Sequence, residues 1–280
     1  MAFQHRIGVM QGRLSPRPAH RLQAFPHQSW PEEFAAAKRV GYSYLEWIYE
    51  ADRAEENPIS SAAGRASIRA CAKESGLPVG SVCADYFMIR RLAGESRAAR
   101  LENAQALREL VRWTKELGAK RILLPLLETS ALGTPDLVRE ATESIQSVTS
   151  TLAECDIVLG LEMEIPGVEY AQVIRGVGHE QVRAYYDCGN STAQGFDIAT
   201  DIEPLLPLLE AVHLKDRVVG GTSKPFGEGA ANFAGFFAKL ARAGFRGDFL
   251  TQHYFDAEPE ASAEHTLAFV RARLAQREAA

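Results

Sequence analysis

The chain has 280 residues, 46% of them hydrophobic and 24% charged, with a formal net charge of −5. That is ordinary globular composition with length for a large core, and its acidic balance argues against nucleic acid or an anionic membrane as the main partner. Cys71, Cys83, Cys155 and Cys188 are scattered with no CxxC pair, which argues against a disulfide framework and a zinc knuckle.

Taken in chain order, short apolar runs alternate with longer amphipathic segments. MAFQHRIGVMQGRLSP opens the chain; its apolar run, IGVM (7–10), is too short for a signal peptide. No later segment approaches the ~20 apolar residues that cross a bilayer, so a soluble, cytoplasmic protein is expected. SWPEEFAAAKRVG predicts a helix with Ser29 as cap, Pro31 in the first turn and Gly41 as stop. YLEWI (44–48) and VGSVCA (79–84) follow. RLENAQALRELVRWTKELGAK then places Leu101, Ala104, Leu107, Leu110 and Leu117 on one stripe before Gly118. RILLPL (121–126) leads into TPDLVREATESIQSVTSTLAE, capped by Thr134, with Leu137, Ala141, Ile145, Val148 and Leu152 on its apolar face. The remaining runs are IVLGLE (157–162), RAYYD (183–187), AVHL (211–214) and DFLTQ (248–252); a last helix over about 259–278 carries Leu267, Val270 and Leu274.

Near-continuous apolar runs suit parallel strands covered on both faces. Eight of them, most followed by a helix, predict an α/β fold that closes most simply into a (β/α)8 TIM barrel, one domain over 1–280. A doubly wound open sheet is the alternative; it would want a GxGxxG turn after an early strand, and MQGRLSP is not one. The stretches 14–28, 49–59, 86–96 and 216–230 read as loops above the barrel.

Barrel active sites form at the C-terminal strand ends. There the runs present Glu46, Asp85, Glu162 with Glu164, Asp187 with Asn190 three residues on, His213 with Lys215, Asp216 and Arg217, and Gln252 with His253. A buried strand that runs into AVHLKD needs partners for its ionisable groups, because desolvating an unpaired charge is costly. Glu162, Asp187, His213 and Gln252, on four successive strands, offer one imidazole and three oxygen donors, a set suited to Mn²⁺, Mg²⁺, Co²⁺ or Zn²⁺. Such a cation would also explain two carboxylates buried together. Glu46 and Asp85 read as structural groups, caps or ion-pair partners, and His5, His20, His27, His179 and His265 fall where solvated roles are the default. Arg217 and Lys224, around RVVGGTSKPFGEG, are either a solvated basic loop or a grip on a carboxylate or phosphate, as is Arg13. Trp47, Tyr86 and Phe87 either cap the barrel or form an apolar wall for a ligand, capping being the preferred reading.

The order of IGVMQGRLSP, YLEWIYE, SVCADYFM, LGLEMEIPG, YYDCGN, VHLKDR and PFGEGAANFAGFFAKLARAGFRGDFLTQ resembles the xylose isomerase-like TIM barrels, the sugar phosphate isomerase/epimerase superfamily. The resemblance implies a metal-dependent isomerase or epimerase that acts on a sugar, keto-sugar or sugar phosphate through an enediolate. It implies Glu162, Asp187 and His213 as the metal ligands of the fifth, sixth and seventh strands, with Glu162 also the base. The family's epimerases have a glutamate on the eighth strand; here Gln252 stands there, able to coordinate through its amide oxygen but not to act as a carboxylate base. Asn190 stands where the sugar enzymes often have a histidine. Lys215 is assigned to the catalytic set as a donor to the substrate, and Arg13, Glu164, Asn190, Arg217 and His253 to substrate binding; Lys215, His253, Glu164 and Asp216 are the groups that could replace the missing base. A metal-dependent lyase or dehydratase on a related keto-sugar and a non-catalytic sugar-binding barrel remain as alternatives. A DNA repair endonuclease of the same superfamily would want more histidine ligands and a basic groove. The partner implied is a small carbohydrate, and a homodimer is the assembly expected.

Overall fold

Parallel strands that are apolar on both faces have no side to show to water, and closing the sheet leaves no open edge. The computed structural model describes residues 5–16, 23–255 and 257–278. In it the eight runs become β1 (Ile7–Met10), β2 (Tyr44–Ile48), β3 (Val79–Cys83), β4 (Arg121–Leu126), β5 (Val158–Met163), β6 (Val182–Asp187), β7 (Leu209–Leu214) and β8 (Asp248–Thr251). They pair in parallel around a closed barrel, and β1 meets β8 in the register Ile7↔Phe249. Helices wrap the outside, so the chain is the (β/α)8 barrel that its alternating runs predict. Among the described residues no helix is long and apolar enough to cross a membrane.

Alternation sends Tyr44 and Glu46, Glu162, Tyr185 and Asp187, and His213 inward. Two buried tyrosines fill the lumen, and glycines on neighbouring strands make room for them. A β-carbon on Gly8 would lie 2.4 Å from the Tyr44 ring, and one on Gly160 would lie 2.9 Å from the Tyr185 side chain. The Tyr44 hydroxyl donates to the Phe249 carbonyl at 3.1 Å and the Tyr185 hydroxyl to Glu46 at 2.8 Å. Below them, at the N-terminal end, Arg121 pairs with Asp248 at 2.6 Å and Glu210 at 3.2 Å, and Arg6 pairs with Asp248 at 2.5 Å.

The helices differ from expectation in three places. Ser29 precedes the helix Trp30–Val40 but makes no side-chain cap bond; its hydroxyl meets that of Ser15 at 2.8 Å instead. Leu101 is 57% exposed, because the helix Arg97–Leu117 turns Ala104, Leu107, Leu110 and Leu117 inward and leaves it outside their arc. The segment after Thr134 is two helices, Pro135–Gln146 and Thr149–Cys155, whose break lets Val148 and Leu152 stay buried. Within the expected loops, 86–89 forms a helical turn and Asp216–Arg217 pairs with Ser223–Lys224 as a hairpin.

Candidate functional site

His213 sits level with Asp187 in the register of β7 on β6, so the two side chains enter the barrel mouth together. Its Nε2 lies 2.8 Å from Glu46 Oε2. A carboxylate accepts, so Nε2 carries the hydrogen, and Nδ1 faces Asp187 Oδ2 at 3.7 Å. Glu46 also accepts the hydroxyls of Ser81 at 2.7 Å and Tyr185 at 2.8 Å, so its carboxylate is locked. The structural reading of Glu46 thus has a definite content: it sets the ring orientation and tautomer of His213. Burial opposes charge on the imidazole, but Glu46 and Asp187 outweigh it and push the His213 pKa up to about 10.

Asp187 accepts the Asn190 amide at 2.8 Å through Oδ1, which starts the short helix Cys188–Ala193. Its Oδ2 is buried and accepts no hydrogen bond, although Lys215 Nζ stands 3.0 Å away as an ion pair. Burial would raise its pKa, yet Lys215 and His213 hold it well below the usual carboxylate range. Glu162 is pushed the other way, up, by burial and then by the Asp187 charge. Asn190 ties the group together: its Nδ2 donates to Glu162 at 3.0 Å, and its Oδ1 accepts Lys215 at 3.1 Å and Arg217 at 2.9 Å. Gly189 lies against Lys215, where a β-carbon would meet the lysine side chain at 2.6 Å.

Glu162, Asp187 and His213 each bring one ligand atom, all within 4.8 Å of one another. The donor set, the His213 Nδ1 that the Glu46 bond leaves to coordinate once its proton is displaced, and the unbonded Asp187 oxygen all fit a divalent cation. Above them lies a cavity of about 1110 Å³, whose lining includes Glu162, Glu164, Asn190, His213, Lys215, Arg217, Arg13 and Gln252. Ten residues were expected here; eight line this cavity, and Asp187 lies beneath it in contact with His213 and Lys215.

His253 is the exception. Its Nε2 is bonded to the Arg13 carbonyl at 3.0 Å, its own carbonyl accepts Arg13 Nη1 at 2.9 Å, and it lines a separate cavity of about 310 Å³. It follows Gln252, and strand alternation turns it to the other face. Burial pushes its pKa down to about 3, so it is neutral and braces the loop that carries Arg13. Asp216 also turns away, accepting the amides of Gly227 at 2.8 Å, Gly229 at 3.0 Å and Ala231 at 3.3 Å. It organises the glycine loop rather than His213 or Lys215. Lys224 is exposed and off the cavity, and His20 lies outside the described residues. Trp47 is wholly buried against Trp30 and Phe25, so it packs the barrel's outer layer and offers nothing to a ligand.

Several cavity residues went unread in the sequence. Met10, Tyr254 and Phe255 form much of the apolar wall, with Arg13 stacked 4.1 Å from the centre of the Phe255 ring. Gln23 bridges Asp85 and Gln252. Glu33 accepts the Gly12 amide at 2.9 Å and the Leu14 amide at 3.2 Å from the loop around Arg13, and burial pushes its pKa up to about 7. Strand-end position pointed to Asp85, but no local pattern marks Gln23, which the fold brings in from a distant loop.

Comparison with known proteins agrees with this architecture. The L-ribulose-5-phosphate 3-epimerase UlaE of Salmonella paratyphi C is 24% identical over 258 residues, covering 89% of this chain and 91% of the relative. A solved L-ribulose 3-epimerase superposes with a TM-score of 0.79 at 16% identity, covering 98% of this chain and 96% of its own. The 3-keto-D-glucoside 4-epimerase YcjR of E. coli, in its apo form, superposes with a TM-score of 0.73 at 19% identity, covering 96% and 100%. The family described as xylose isomerase-like TIM barrel matches residues 34–273. The chain belongs to the xylose isomerase-like TIM barrel family.

Proposed function

We propose that this chain is a divalent-metal-dependent sugar epimerase acting on a ketose, keto-sugar or ketose phosphate. The observation that carries the reading is the buried Glu162–Asp187–His213 cluster under the large cavity, with an Asp187 oxygen that accepts no hydrogen bond. The 3-epimerase names of the relatives support the substrate class. Asp187, His213, Glu162 and the amide oxygen of Gln252 would hold the cation, which when bound would supply Lewis-acid stabilisation of negative charge on the substrate.

Glu162 is the base that removes the proton next to the carbonyl. It is buried at the cavity, where a carboxylate reaches the proton without competing water. Asn190 orients Glu162 and holds Lys215 and Arg217 together at the cavity wall. Lys215 donates to substrate oxygen and is the proton donor that a two-carboxylate site would not need. Arg13 and Arg217, on the loops after β1 and β7, bind hydroxyl, carboxylate or phosphate groups, and Glu164 contacts a hydroxyl at the rim. Because Gln252 cannot return a proton, the same parts also suit β-elimination, in which Glu162 removes a proton and Lys215 protonates the leaving hydroxyl. The function is tested by metal analysis of chelator-free protein, followed by incubation with ketoses and ketose phosphates in D₂O. Carbon-bound deuterium with the substrate otherwise intact supports epimerisation. Loss of water supports elimination. Binding with no exchange overturns both in favour of a sugar-binding barrel.

A further inference from the structure

Gln252 differs from a glutamate at the same place in one physical respect: it has a wrong way round. Both carboxylate oxygens can face a cation, whereas an amide offers oxygen on one side and two N–H groups on the other. A chain of three side chains along the cavity wall decides which side faces inward. Gln252 Nε2 donates to Gln23 Oε1 at 2.5 Å. Gln23 Nε2 in turn donates to Asp85 Oδ2. Asp85 Oδ1 accepts the Cys83 thiol at 3.1 Å. All four residues line the same cavity as Glu162 and His213.

The direction of every bond in this chain follows from its end. Burial pushes the Asp85 pKa up while the Cys83 and Gln23 hydrogen bonds hold it down; ionised, the carboxylate accepts from both, so Asp85 draws the NH₂ of Gln23. The Gln23 carbonyl is then left to accept, and it draws the NH₂ of Gln252. That leaves the Gln252 carbonyl oxygen for the cavity. Gln252 is anchored beside His213, since its backbone amide donates to the Leu214 carbonyl at 2.9 Å and Leu250 pairs with His213. We propose that Asp85, acting through Gln23, is a positioning residue that fixes the amide of Gln252 with its oxygen toward the cation held by Glu162, Asp187 and His213. An NH₂ group turned inward there would repel the ion instead of binding it. The inference rests on the metal-centre reading given above, and it gives Asp85 a task that a capping or ion-pairing carboxylate would not have.

The test is Mn²⁺ affinity, read from the free-ion electron paramagnetic resonance signal, on the full chain. With Gln252 in place, Asp85→Asn lets the relay reverse and should weaken Mn²⁺ binding at least about tenfold, in the range that outer-shell partners command. Gln23→Leu breaks the relay while keeping the Asp85 charge, and it should weaken binding similarly. In a Gln252→Glu background, where either oxygen can bind, Asp85→Asn should change affinity by less than about twofold, because the coupling has been removed. Circular dichroism of each variant confirms the fold. Equal losses in both backgrounds would show that Asp85 acts by charge or on the fold, and no loss in either would show that it does not act on the ion; each overturns the relay. No Mn²⁺ binding by the unaltered chain would instead overturn the metal-centre reading on which the relay depends.

Discussion

At the N-terminal end of the barrel, Arg121 lies between Asp248 and Glu210, and Arg6 reaches Asp248 from outside. Two guanidiniums meet two carboxylates there. At the C-terminal end, Glu46, Glu162 and Asp187 gather around one imidazole and one lysine, under a cavity. The first cluster is balanced by its own strands. The second sets three carboxylates against one lysine, so neutrality needs protons on both His213 and Glu162, or a divalent cation in their place. Buried charge is paired within the strands at one end of this barrel and, on the proposed reading, serves a ligand at the other.

That contrast can be broken or sharpened by substitution. Asp187→Asn should have the largest effect: the metal content falls from about one ion per chain to background, and catalysis goes with it, since the amide lacks the carboxylate charge that attracts the ion. Mass spectrometric metal analysis of the folded variant checks this, and a normal metal content would remove the cluster from consideration. Arg121→Ala should do the reverse. Removing one partner of a buried pair costs ~3–5 kcal/mol of stability, while metal content and turnover per folded molecule stay as they were. Urea denaturation alongside activity separates the two. Glu46→Gln tests the support of the histidine: metal affinity should drop roughly 10–100-fold, the range for an outer-shell partner, with the fold intact.

A smaller effect is set by pH. The folded chain holds a proton on His213 up to about pH 10, against an ordinary value of 6.5, and holds one on Glu162 above its ordinary 4.5. Both shifts are upward, so their contribution to stability is full below the unfolded values and is lost as pH rises toward the folded ones. On the metal-centre reading a bound cation would take over from those protons. The gap in Tm between metal-loaded and chelator-treated protein should therefore widen from pH 5 to pH 9, and a constant gap would mean that binding displaces no proton. Least of all, Lys224→Ala should alter KM by no more than about twofold, as expected of an exposed side chain away from the site.

The strand ends showed well in the sequence because a strand has a period of two and a barrel puts its chemistry at one end. Glu162 and Asp187 close their apolar runs, His213 sits one residue before the end of its own, and each occupies the cavity floor or lines it. Residues one step further were harder. His253 follows Gln252 directly, and the same alternation that turns Gln252 into the mouth turns His253 behind the Arg13 loop. Asp216 follows Lys215 directly and is spent on three loop amides. A one-residue step is visible in sequence, but the end of the regular strand, beyond which alternation stops being a guide, is not.

By itself the sequence determined the barrel, through eight apolar runs alternating with helices, and the residue types at the mouth, including the amide of Gln252. Only the tertiary structure decided what those side chains touch. Glu46 serves His213 across 167 positions, and Gln23 meets Gln252 across 229. No local pattern records such pairs. Hydrogen bonds between side chains depend on ångström-scale placement, which ring closure, strand register and the packing of Tyr44 and Tyr185 inside the lumen fix together.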